Sequence, residues 1–179
     1  PNIKTYSHGM FESVYDYPYL SSSANHIFDL TVGYSSDSVF SGSGTQNSKK
    51  INIYNQMASV LMGHDVSGNI QKFDEDGNIL AGGAKLESCI FVNFARLLTK
   101  DEIKKGSFNL QLGASASFDS GSTGRTEMQS LITIADTNAA NNFKVNSPTG
   151  EYGILYGSGS VMPASTPVGL LFYQAGVAV

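Results

Sequence analysis

The chain has 179 residues, a net charge of −4 and only 15% charged residues, with Gly, Ser, Thr and Asn filling the space that Lys and Glu commonly take. A pI near 5.2 and the lack of any basic run longer than Lys49-Lys50 or Lys104-Lys105 exclude a nucleic-acid footprint, and a lone cysteine, Cys89, excludes an intrachain disulfide. The length suits one domain with a sizeable core, and the composition suits short strands and many turns rather than a helical bundle.

Residues 1–24 read as a Tyr/Ser-rich N-terminal arm holding Tyr6, Tyr15, Tyr17 and Tyr19, with Pro18 barring a regular helix; residues 25–179 read as a single β-rich domain. The N-terminal stretch lacks the charged-then-apolar pattern of a signal peptide. In "HIFDLTVGY", Phe28, Leu30 and Val32 alternate on one face and predict a strand. A helix is predicted over 48–62, with Ser48 as N-cap and Gly63 as stop. Its apolar stripe would be Ile51, Tyr54, Met57, Ala58, Leu61 and Met62, packed onto a sheet.

"GNIQKFDEDGNILAGG" reads as a hairpin turning at Asp74 to Asn78, with Ile79-Leu80 on the return. Cys89 to Phe94 form an apolar run that predicts a central strand, in which Cys89 is a buried small hydrophobe. Thr99 and Glu102 have capping-box spacing, which predicts a second, short helix ending at Gly106. Phe108, Leu110 and Leu112 alternate as a half-exposed strand, residues 116–130 read as a loop, and "SLITIAD" as another strand. "YGILYGSGSVM" and "GLLFYQAGVAV" predict two more strands, with "PASTP" as the turn between them. The segment 167–179 is uncharged, but Pro167, Gly169 and Gly176 interrupt it, and a spanning helix needs about 20 apolar residues. The expected fold is mainly β, either β-sandwich-like or α+β, with one long amphipathic helix and one short helix.

Four motifs invite chemistry. "FDEDGN" suggests calcium, but from Asp74 the glycine falls at the fourth position and Lys85 at the twelfth, where a calcium loop needs Gly at the sixth and Glu at the twelfth. "FDSGST" resembles the aspartic-peptidase turn, with Asp119 as the acid. A second such turn is missing from the chain, and the polar "GRTEMQS" follows. His8, His26 and His64 lack metal-ligand spacing, and "GSGT" lacks the ending of a phosphate loop. "YDYPYLSSS" suits either a sugar-stacking platform or a subunit contact.

"YPYLSSSANHIFDLTVGYS", "VNFARLLTKDEIKKGSFNLQLG" and "GLLFYQAGVAV" together resemble virion structural proteins of marine T4-like tailed phages, such as those infecting cyanobacteria. The resemblance implies a non-enzymatic structural component of the virion, with tail, baseplate or neck favoured over head. It would assemble in the host cytoplasm by contact with copies of itself and other virion proteins. Neither a cofactor nor a metal is expected, and neither nucleic acid nor membrane is an expected partner. The candidate assembly surface is Tyr15, Tyr17 and Tyr19 of the arm with Leu170, Leu171, Phe172, Tyr173, Val177 and Val179. The alternatives are a β module that binds host-surface glycans for adhesion and, more remotely, an aspartic peptidase-like enzyme.

Overall fold

A computed structural model describes residues 1–78, 82–113, 118–120, 126–128, 131–159 and 162–179. In chain order the strands are β1 (Ile3–Thr5), β2 (Glu12–Tyr15), β3 (His26–Tyr34), β4 (Ser88–Phe94), β5 (Asn109–Gly113), β6 (Phe118–Ser120), β7 (Thr126–Met128), β8 (Leu131–Ala135), β9 (Phe143–Ser147), β10 (Gly150–Gly159), β11 (Met162–Phe172) and β12 (Val177–Ala178). One long helix, α1 (Thr45–Leu61), and a single helical turn, α2 (Arg96–Thr99), accompany them. The protein is therefore mainly β with one helix of consequence.

Ten strands form one antiparallel sheet in the order β1-β2-β3-β4-β12-β11-β10-β8-β5, with β9 also paired to β10; β6 and β7 pair separately. The two-residue β12 is the seam. It pairs with β4 on one side and β11 on the other, and through it the half that holds β1 to β4 joins the half that holds β5 and β8 to β11. Amides and carbonyls of Leu170 and Val179 exchange hydrogen bonds at 2.9 and 2.8 Å beside it. The N-terminal segment is not a separate arm: β1 and β2 form an edge hairpin in register with β3, pairing Val14 with Phe28 and Ser13 with Asp29.

The sheet's first face is covered by α1. Ile53, Tyr54, Ala58, Leu61 and Met62 pack on Phe91, Tyr152, Ile154, Leu170 and Phe172, with Phe73 filling the space between helix and sheet. Phe73 lies edge-on to Tyr54 (5.5 Å between centroids) and to Phe172 (6.3 Å). Gly33 lets the helix approach: a Cβ there would lie 2.9 Å from the Tyr54 backbone nitrogen. The helix starts three residues before Ser48, with Gly44 as N-cap, and stops at Gly63, whose φ of +80° cannot continue it. Ile53 joins the buried side while Ile51 is only half-buried, so the contact face is rotated from the predicted stripe.

The second face is covered by the sheet's own curl. Val92, Leu155, Leu171, Tyr173 and Ala178 pack with Phe108 from the approach to β5, together with Phe28, Leu30, Leu110, Ile134 and Val168. Phe94 of β4 meets Phe108 edge-on at 5.9 Å, so the two ends of the strand order face one another. The architecture is one curled sheet; the strands that a sandwich would divide follow a single hydrogen-bonded path.

Three local expectations change. The helix predicted from Thr99 to Gly106 does not form. Lys100 adopts φ 51°, and the Ile103 amide donates to the Tyr173 carbonyl (2.9 Å) instead of a helical ladder. The predicted turn 163–167 lies inside β11, where Pro163 and Ser165 (φ 65°) occupy a bulge opposite β10, a place where a strand tolerates proline. The hairpin predicted around Asp74 reduces to an isolated bridge between Asp74 and Lys85, and Ile79-Leu80 lie outside the described residues.

Candidate functional site

The nine residues of the expected assembly surface separate into two groups. Leu170, Leu171, Phe172 and Tyr173 are wholly buried and Val177 nearly so, because both faces of β11 and β12 are covered by this chain's own core. Val179 is half-buried against the α1 side. In the N-terminal hairpin, Tyr15 packs on Tyr19 (6.3 Å) and His26 (5.5 Å), leaving both tyrosines half-buried. Tyr17 alone stands out, at 59% exposed. Three coplanar rings for a sugar face are therefore not assembled here.

A different apolar surface emerges along the first turns of α1. The turn between β1 and β2 folds into a stack of Tyr6, His8 and Phe11, with centroids 5.0 to 5.1 Å apart, and Lys50 of α1 holds the Gly9 carbonyl at 3.4 Å. Met10 and Phe11 remain exposed on it. One helical turn earlier, Asn47 accepts the Tyr34 hydroxyl at 2.6 Å, and Phe40 tilts against the Tyr34 ring at 6.3 Å. Val39 and Phe40, 94% and 64% exposed, project from the loop that leads into α1. Because positions 47 and 50 are neighbours on a helix face, the two segments flank one another. Sequence reading missed this surface, although an apolar pair in the Ser-rich "SSDSVFSGSG" was the available signal.

The chemical candidates are occupied by structural work. Asp74 is buried and ion-paired with Lys85; its Oδ1 accepts the Asp76 amide at 3.2 Å, and a Cβ on Gly83 would press within 2.7 Å of its Oδ2. Asp29 Oδ1 accepts Ser13 Oγ at 2.5 Å and bonds His26 Nε2 at 2.9 Å. The carboxylate thus stands between serine and histidine, whereas a nucleophilic serine needs the histidine in that place. No group of three or more metal-ligating side chains gathers among the described residues. Phe118 to Ser120 of "FDSGST" form β6, and residues 121–123 lie outside the described residues.

Burial governs the shifted groups. It pushes the Cys89 thiol up to about 12, so the side chain is unreactive and serves as a small apolar filler that donates to the Leu86 carbonyl at 3.6 Å. Burial, reinforced by Asp74, pushes Tyr152 up to about 12; its hydroxyl donates to the Gly77 carbonyl (2.9 Å) or Asn146 Oδ1 (2.7 Å). Tyr173 is raised by burial and by Asp136, whose carboxylate accepts the amides of Gly106 (2.7 Å) and Phe108 (3.0 Å) and anchors the entrance to β5. A comparison with protein-family models, with curated proteins and with solved structures finds no match.

Proposed function

We propose that this chain is a structural component of a tailed-phage virion, acting by protein–protein assembly in the tail, baseplate or neck. The observation that carries the reading is the exposed flank of Met10, Phe11, Val39 and Phe40 along α1. Apolar side chains grouped at one place on a surface favour a partner over water, and they do so here beside residues held by hydrogen bonds and ring contacts rather than on a frayed end. The resemblance to phage structural proteins supplies the kind of particle. Its partners would be copies of itself or other virion proteins, and its location the virion.

Immunogold labelling of purified phage particles with an antibody to this chain tests the reading. Label at one defined position on the particle is the expected result. Label absent from intact and disrupted particles, with the protein present in the infected-cell lysate, would overturn it.

A further inference from the structure

The curl of the sheet leaves a cavity of about 360 Å³ on its second face. Leu30 of β3 and Val92 of β4 form one wall, Leu110 of β5 and Ile134 of β8 the other, with Leu155 and Val168 between them. Among the fifteen lining residues only Ser88 carries a hydroxyl, and that oxygen is already bonded to Ser38 Oγ at 2.8 Å. Neither a charged nor an amide side chain lines the space. A buried water needs about two to four polar partners, and an apolar cavity of about 150 Å³ stays dry and takes up benzene. This cavity is more than twice that size. Its mouth is apolar as well: Ile90 and Leu112, both lining residues, are 52% and 37% exposed.

We propose that this cavity is a binding site for an uncharged hydrocarbon group larger than benzene, an aliphatic chain or a fused aromatic ring system. Affinity comes from removing apolar surface from water on both sides. Selectivity comes from the lining, which leaves any inserted charge or hydroxyl without a partner. The site is separate from the flank along α1, since neither Val39 nor Phe40 lines it, and it stands whether or not the chain belongs to a virion.

The test is a fluorescence titration of the full chain with N-phenyl-1-naphthylamine, an uncharged probe that brightens in apolar surroundings. Saturable binding at one probe per chain, displaced by decanol, is expected. Val168→Phe fills the space and is expected to weaken binding at least about tenfold, while Val39→Ser with Phe40→Ser leaves it unchanged. Methyl NMR of the wild type gives a second reading that needs no core variant: the probe should shift Leu110, Ile134 and Val168. Lack of saturable binding, shifts confined to residues outside the cavity, or binding lost only in the Val39→Ser/Phe40→Ser protein would each overturn the proposal.

Discussion

The strand pair β10–β11 and the hairpin β1–β2 are both rich in aromatic and apolar residues, yet they use them in opposite ways. In β10–β11, Tyr152, Leu170, Leu171, Phe172 and Tyr173 lie wholly inside, because α1 and Phe73 cover one face and the curled β5–β8 side covers the other. The hairpin sits at the outer end of the strand order, where Tyr17 and Leu20 meet water. Position in the sheet, not composition, decides whether such residues become core or surface.

The largest effect should come from removing the seam. Deleting residues 168–179 takes away β12 and half of β11, and with them the link between the two halves of the sheet. Cooperative thermal unfolding by circular dichroism should vanish; a truncated chain that still melts cooperatively would break the comparison. Next in size, Phe172→Ala should lose about 3–5 kcal/mol, since its ring stacks on Tyr152 at 5.1 Å and meets Phe73. Tyr17→Ala, by contrast, should change stability by no more than about 0.5 kcal/mol. Denaturant titration of the two variants sharpens the contrast, and equal losses would contradict it.

A smaller effect should follow alkaline pH. Tyr152 and Cys89 both have folded-state values raised by burial to about 12. A raised value means that the protonated form is favoured by folding, so the stability it lends is complete below the unfolded value and is lost as pH rises through the folded one. Stability should therefore be level up to about pH 9 and fall between about pH 9 and 12. Tyr152 alone should account for about 2–3 kcal/mol of that fall. Denaturant midpoints across that range check it, with a level profile as the contrary outcome.

Much of the sheet was legible. Alternation at Phe28, Leu30 and Val32 and at Phe108, Leu110 and Leu112 marked β3 and β5, and the apolar run from Cys89 marked β4. What lay beyond the sequence was pairing. Two residues, Val177 and Ala178, suffice to bridge β4 and β11, and nothing local announces such a bridge. Turn chemistry misled where a bulge uses the same residues: Pro163 and Ser165 interrupt β11 without ending it. The capping-box spacing at Thr99 failed because the Ile103 amide is drawn to the end of β11, a contact 70 residues distant in sequence (103 to 173). The assembly flank depends on which apolar residues the fold leaves uncovered, so apolarity alone pointed first to the buried residues from Leu170 to Tyr173.

The most direct measurement is particle incorporation of the Val39→Ser/Phe40→Ser protein, supplied in trans during infection and followed by quantitative blotting of purified virions. Both side chains are exposed, so the fold should persist, with a thermal midpoint close to wild type, while incorporation falls about tenfold or more, a loss of at least about 1.4 kcal/mol in contact energy. A folded variant that enters particles as well as the wild type would contradict the account.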